Sequence, residues 1–408
     1  MTPAPEPLPD SDQASRNAAV AAFMTFAAFF GLGFVIPLLP LYMQDLGVRN
    51  SSDAAQWAGF LIGVGPLLAG ILAPFWGGLA DRHGYKPVAL VALVALGLSQ
   101  IVAAVARTPA QVLVSRVLSG LFGGVGPLGL AMASGNAPKG AGASKAIGSI
   151  QAAQILAAGF GPLFGGAVAS SFGIPSAFWV ASCACLLAAV VVGALYRDPA
   201  RSAVEGAVSR SGPEAPRTEV FLMSLIAVVF FANFASRSFT PILPEQLARF
   251  GLDRAALPVS TGLLISAYSI AAAASALFVG RAAAKNDPVV LILRSLALSL
   301  LAALAMGYAP GFAAFLGIAV LYGLVSGGSL TLGYTIGSRR FGESARGAYF
   351  GRLSGAALIG GAVSPSVAAF VARSGMAMVY WMNVVIYAGL IIATLAFLRR
   401  LPASSDRG

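Results

Sequence analysis

Apolar residues fill the chain in runs of about twenty, each bounded by a short polar interval, and the pattern recurs twelve times. A bilayer core about 30 Å thick is crossed by roughly 20 apolar residues in an α-helix, so the pattern predicts twelve membrane spans. Six run over 18–43, 55–80, 87–106, 109–132, 146–171 and 175–196. Six more run over 219–243, 257–279, 288–308, 310–335, 347–372 and 376–398. The polar stretch RDPARSAVEGAVSRSGPEAPRT at 197–218 is the longest break in the rhythm and divides the spans equally. The expected plan is all-α and polytopic: a tail at 1–17, a six-helix bundle at 18–196, a linker at 197–218, a second six-helix bundle at 219–398 and a tail at 399–408.

The two bundles repeat one another at an offset of 203 or 204 residues. Pro37, Pro40 and Gly47 recur as Pro241, Pro244 and Gly251; Gly59 as Gly262; Gly123 and Gly124 as Gly327 and Gly328; Gly148 and Pro162 as Gly351 and Pro365. Abundant glycine produces some such matches by chance, but the shared PxLP and the steady offset favour duplication. Repeats of this kind place a transporter's site near the membrane midplane, between the halves.

Composition agrees. Of 408 residues, 58% are hydrophobic and 10% charged, against about a quarter charged in soluble proteins. So few charges cannot cover a water-facing surface, which excludes a soluble enzyme. The 26 Lys and Arg against 15 Asp and Glu leave +11. In a polar chain that excess would point to nucleic acid; here it sorts by loop. With a cytoplasmic N-terminus, seventeen cations fall on the inside and five outside, as the positive-inside rule requires. Both termini are therefore expected in the cytoplasm, with the chain in the cell (inner) membrane, and no nucleic-acid partner is expected. The two cysteines, Cys183 and Cys185, lie in an apolar run, and His83 is the sole histidine. No metal site, cofactor or catalytic cluster is expected from these residues.

Three motifs carry more specific information. The first is Gly77-Gly78-Leu79-Ala80-Asp81-Arg82-His83-Gly84-Tyr85-Lys86 after the second span. Small Gly77 and Gly78 would permit close helix approach, Gly84 a tight turn, and Asp81 an ion pair or helix cap. The second is Arg116-Val117-Leu118-Ser119-Gly120 in the fourth span. An arginine there costs about 2.5–3.5 kcal/mol at a helix centre and should face the bundle interior. The third, in the fifth span, is Gly148, Ala157, Gly161-Pro162 and Gly165-Gly166, spaced to pack one helix backbone against another.

Together these resemble the major facilitator superfamily. The first is similar to its GxLaDrxGrk loop, with Tyr85 replacing a basic residue; the second to its RxxqG; the third to the antiporter motif g(x)8G(x)3GP(x)2GG, with Ala157 replacing one glycine. The resemblance implies two pseudo-symmetric six-helix bundles, a gating loop at Gly77, Asp81, Arg82, Gly84 and Lys86, and export of drug:proton antiport type. It implies as partners a small-molecule substrate, protons and the lipid bilayer. A monomer is expected. No GxxxxGK[ST] motif is present, which disfavours an ATP-driven pump.

The charges within the spans bear on substrate. No acid lies deep in a span; Asp45 and Glu245, at the outer ends of the first and seventh, are the nearest candidates to carry a proton. Arg294 and Arg352 lie near cytoplasmic ends and are expected to snorkel. Arg116 and Arg237 lie deeper, and Asn233 shares a helix face with Arg237. Gln151, Gln154, Tyr268, Tyr334 and Asn383 are further candidates to line the route, or to bond helix to helix. The main expectation is proton-coupled efflux of small amphipathic molecules. The alternative is export of an anionic metabolite, such as a polycarboxylate siderophore, through a cationic cavity.

Overall fold

The computed structural model describes residues 11–134, 141–198, 216–340 and 343–398. Among the described residues every regular element is helical. The first half holds α1 (Ser11–Val35), α2 (Leu39–Asp45), α3 (Ser51–His83), α4 (Tyr85–Ala104), α5 (Pro109–Leu121), α6 (Val125–Ser134), α7 (Ala141–Phe172) and α8 (Ile174–Leu195). The second holds α9 (Pro216–Arg237), α10 (Leu243–Arg249), α11 (Leu257–Lys285), α12 (Pro288–Gly307), α13 (Phe312–Ser326), α14 (Ser329–Arg340), α15 (Glu343–Val371) and α16 (Met376–Ala393). Joined end to end where they break, these make 12 helical spans long and apolar enough to cross a membrane, the first beginning at Gln13 and the last ending at Ala396.

The breaks repeat with the sequence. Pro37 and Pro40 remove two backbone donors, and the chain passes through a 3-10 turn at Ile36–Leu38 between α1 and α2. Pro241 and Pro244 do the same at Thr240–Ile242, between α9 and α10. The glycine pairs fall at the other two breaks, Gly123-Gly124 between α5 and α6 and Gly327-Gly328 between α13 and α14.

Within the first half α1 packs on α6, α7 and α8, and α4 on α8; within the second α9 packs on α15 and α16, and α11 on α13. The halves meet along α7 with α11 and α3 with α15. This seam obeys the repeat. A Cβ placed on Gly59 of α3 would sit 2.5 Å from the Pro365 carbonyl oxygen, and one on Gly262 of α11 would meet the Pro162 carbonyl closer still. Gly59 and Gly262 are repeat mates, as are Pro162 and Pro365, so the two contacts are one contact seen twice across a pseudo-two-fold axis.

The two ends of the molecule differ. At the distal end, which carries the α2–α3 and α10–α11 turns, the halves touch backbone to backbone. Gly63 meets Ala362, and Gly166 meets Pro258. The Leu163 N–H donates to Ser266 Oγ at 2.9 Å, and Ser170 Oγ donates to the Ala255 carbonyl at 3.3 Å. Ion pairs join the halves there too, Arg254 to Asp45 at 2.6 Å and Arg373 to Asp53 at 3.2 Å. At the linker end, where α8 stops and α9 starts, α3 carries Gly70, Gly77 and Gly78, and a Cβ on any of them would meet no described atom within 4 Å. One helix is thus crowded at its distal end and open at its linker end.

Candidate functional site

Helix faces define the space between the halves. Around α7 successive residues advance about 100°. Gly161 and Gly165 press on Phe30, Gly33 and Phe34 of α1, whereas Pro162 and Gly166 press on Gly262 and Pro258 of α11. The strip between those two contacts, toward the linker end, carries Ala158 and Gln151, with Gln154 on its α1 side. Gln151 is exposed and Gln154 half-buried. A Cβ on Gly126 of α6 would lie 3.4 Å from the Phe29 ring and 3.9 Å from Gln154 Nε2, so α1, α6 and α7 meet at these side chains.

On α1 the strip between α6 and α7 carries Phe26, Phe29 and Gly33, beside Phe30. Phe26 stacks on Phe30 at 5.1 Å between ring centres, and Phe30 lies 4.9 Å from Phe34. The repeat mates on α9 are Phe230, Asn233, Phe234 and Arg237. Phe230 stacks on Phe234 at 6.4 Å. The aromatic pairs are common to both halves, while Phe29 has become Asn233 and Gly33 has become Arg237.

Arg237 faces the same space. On α15, Gly360 packs under the Phe230 carbonyl of α9 and Ser364 Oγ donates to the Phe234 carbonyl, while Ala362 and Pro365 pack on α3. Gly361 falls between those two faces, as its mate Ala158 does on α7. A Cβ on Gly361 would lie 3.6 Å from Arg237 Cγ. The arginine stem therefore lies across the strip that looks between the halves, next to the Gly63–Ala362 contact that closes the distal end. The Arg237 side chain is exposed. Asn233 Nδ2 donates to the Val229 carbonyl of its own helix at 2.9 Å.

The other sequence candidates are placed differently. Arg116 is 3% exposed and sits within the first half; its guanidinium donates to Gln100 Oε1 of α4 at 2.6 Å and to Ser115 Oγ at 3.3 Å, and it lies over the Phe178 ring at 5.8 Å. Its Nε has no partner. Asn383 is 2% exposed and exchanges hydrogen bonds with Ser238, at 2.8 and 3.1 Å, tying α16 to the end of α9. Tyr268, half-buried, sets its ring edge-on to Phe239 at 5.2 Å and beside Tyr322 at 5.8 Å. The Tyr322 hydroxyl meets that of Tyr387 at 2.7 Å. Glu245 pairs with Arg249 at 3.1 Å on its own helix, whereas Asp45 pairs across the halves. Arg294 and Arg352 are exposed; on α15 Arg352 falls on the flank with Ile359 and Phe370, away from the strip. The side chains of Asp81, Gly148 and Tyr334 lie outside the described residues.

The loop after α3 is tied to a distant part of the chain. Gly77 and Gly78 bring no described helix into contact here, since a Cβ on either would meet no described atom within 4 Å. Asp198, just beyond α8, accepts from the backbone N–H groups of Tyr85 at 3.0 Å and Lys86 at 3.1 Å, capping α4 from 113 and 112 residues away. Gly84 has φ +94°, and a Cβ there would sit 2.8 Å from Asp198 Oδ2, so glycine serves both the turn and the approach of the cap. In the second half Asp287 caps α12 locally, accepting from the Val289 N–H at 2.8 Å. Asp287 occupies the place that Gly84 holds in the first half, so the distant Asp198 replaces a missing local cap. Asn17 of α1 exchanges hydrogen bonds with the backbone of Arg197, fixing the same segment.

The sequence model of the Major Facilitator Superfamily matches residues 21–257 and 225–408. The multidrug resistance protein MdtG of Escherichia coli (strain K12 / DH10B) is 28% identical over 298 residues, covering 72% of each chain. A bacterial homolog of the human lysosomal transporter Spinster, in an inward-facing and occupied conformation, superposes with a TM-score of 0.79 at 16% identity, over 96% of this chain and 98% of that one. The human organic anion transporter MFSD10 (TETRAN) gives a TM-score of 0.67 at 19% identity, over 93% and 99%. At those identities the two structures share the fold alone.

Proposed function

The chain belongs to the Major Facilitator Superfamily, and from that premise we propose that this membrane transporter expels small amphipathic molecules by alternating access, driven by proton entry. The carrying observation is the contrast along α3, tight against the second half at Gly59 and Gly63 and open at Gly77 and Gly78. With the linker end in the cytoplasm, as the loop cations favour, this is the state that receives substrate from inside. The space is walled by phenylalanines of α1 and α9 with the amides of α7 and Arg237 set among them, a surface suited to molecules with an apolar body and a polar group.

Export requires the seam to open at the distal end and close at the linker end. The Gly59–Pro365 and Gly262–Pro162 contacts are two-fold related, so a rocking motion of one half on the other releases both without unfolding either bundle. Gly77 and Gly78 then supply the close approach that Gly59 and Gly63 supply now. The driving force is ample: one proton crossing 100 mV releases about 2.3 kcal/mol. Of the two outer acids considered for the proton, Asp45 is the one whose ion pair, to Arg254, spans the halves. Glu245 pairs only within α10. The relative MdtG is named for multidrug resistance, which supports the outward direction.

The test is flux of an amphipathic dye into everted membrane vesicles holding the protein, with an imposed pH gradient. Uptake that follows the gradient and collapses with a protonophore is expected. Uptake indifferent to the protonophore sinks the proton coupling, and no uptake of any dye or small amphipath sinks the exporter.

A further inference from the structure

We infer that the space between the halves selects amphipathic molecules carrying a single anionic group, with Arg237 as the anchor for that group. The inference rests on the transport reading for its biological meaning, though not for its physical argument. Spans three to six and eight to twelve contain no Asp or Glu, and between Glu219 and Glu245 the seventh has none either. Arg237 therefore has no carboxylate of its own bundle beside it within the membrane. Its stem lies over Gly361 of α15, and the residue is exposed. For an exposed guanidinium set among apolar side chains, with no carboxylate of its own bundle in the spans, the complementary group is an oxyanion bound through two N–H donors.

The repeat strengthens the case. The Gly59–Pro365 and Gly262–Pro162 contacts of the seam are shared by the halves, and so are Phe26 with Phe230 and Phe30 with Phe234. Gly33 needs no charge to build α1, so the charge at its mate Arg237 is not required by the fold. The mate of Gly361 is Ala158, and among the described side chains on that strip of α7 the first half offers the neutral amides of Gln151 and Gln154. The space is thus polar on one side through amides and cationic on the other through one arginine.

One anchor rather than two follows from Arg116. Its burial against Gln100, Ser115 and Phe178 removes it from the space between the halves. Two arginines facing each other would favour a polyanion; one arginine flanked by phenylalanines favours a monoanion with an aromatic or aliphatic body. The phenylalanines on both α1 and α9 then take the body, and Asn233, one turn below Arg237 on the same face, can turn its amide from the Val229 carbonyl to a second oxygen.

Matched probes test this: 1-naphthaleneacetate and its neutral counterpart 1-naphthaleneacetamide, titrated against the full chain in lipid nanodiscs without any gradient, and flux of both measured separately in proteoliposomes. The wild type is expected to bind the acid about tenfold or more tighter than the amide. That preference should vanish in Arg237→Ala and survive in part in Arg237→Lys, with melting temperature recorded to verify the fold. Equal binding of the two probes by the wild type, or an acid preference intact in a folded Arg237→Ala, overturns the inference. The two readings fail separately. Acid preference without flux of either probe sinks transport and leaves the anchor standing, whereas flux without acid preference sinks the anchor and leaves transport standing.

Discussion

Adding one methyl group at the seam should tip the conformational equilibrium. In the present state a Cβ at Gly59 would lie 2.5 Å from the Pro365 carbonyl oxygen, about 1 Å inside ordinary contact. Both atoms belong to helix backbones, so no flexible side chain can give way; the halves themselves must part. Overpacking of this kind costs about 1–3 kcal/mol, and the cost falls only on the distal-closed state. Gly59→Ala should therefore move the ratio of distal-open to distal-closed molecules by about 5- to 140-fold. Gly262→Ala, its mirror image against Pro162, should do at least as much. The assay is single-molecule energy transfer in nanodiscs between dyes at Arg107→Cys and Tyr308→Cys, which lie on distal turns of opposite halves, with Cys183 and Cys185 replaced by alanine. Both seam variants should enrich the long-distance population. Gly70→Ala, on the same helix with nothing within 4 Å, should leave it unchanged. If Gly59→Ala and Gly70→Ala give the same distribution, the seam does not control closure and the reasoning fails.

The two exposed ion pairs across the distal end should each contribute about 0.2–1 kcal/mol to closure; Asp45→Asn with Arg373→Gln should lengthen the same distance distribution, and the effect should shrink in 1 M salt. Asp198→Ala should lower stability by about 0.5–2 kcal/mol through loss of the α4 cap, read as a drop in melting temperature that Asp198→Asn recovers in part. Ser238→Ala leaves the Asn383 amide buried without its partner and should cost about 1–3 kcal/mol; paired with Asn383→Leu, the loss should be smaller than for Ser238→Ala alone, as a double-mutant cycle by thermal melting would record.

Much of this architecture is legible from short-range pattern. Runs of apolar residues mark the spans because the bilayer sets their length, and the PxLP pairs mark the breaks because proline removes the donor wherever it falls. The glycines of the fifth span announce a close-packed face; they cannot say which neighbour is packed, and the structure divides them between α1 and α11. Arg116 and Arg237 look alike in sequence, each a lone cation in an apolar helix, but about 100° of rotation per residue decides between an inward partner such as Gln100 and the space between the halves. The phenylalanines at 26, 29 and 30 carry no local signal of which neighbour they meet until the faces of α1 are assigned. Asp198 was hidden for another reason: it lies in a polar stretch, and its contact with Gly84 and Tyr85 depends on two chain segments that no local signal connects. The Asp45–Arg254 and Asp53–Arg373 pairs are equally remote, 209 and 320 residues apart along the chain.

The central claim is that substrate crosses only if the distal seam opens. Ser170 Oγ lies 3.3 Å from the Ala255 carbonyl oxygen of the other half, so Ser170→Cys with Ala255→Cys, in a background lacking Cys183 and Cys185, allows the seam to be locked by a short reducible thiol cross-linker. Dye flux should stop when cross-linking is complete and return to its starting rate on reduction. Flux that continues at the full rate through quantitatively cross-linked protein would contradict alternating access across this seam.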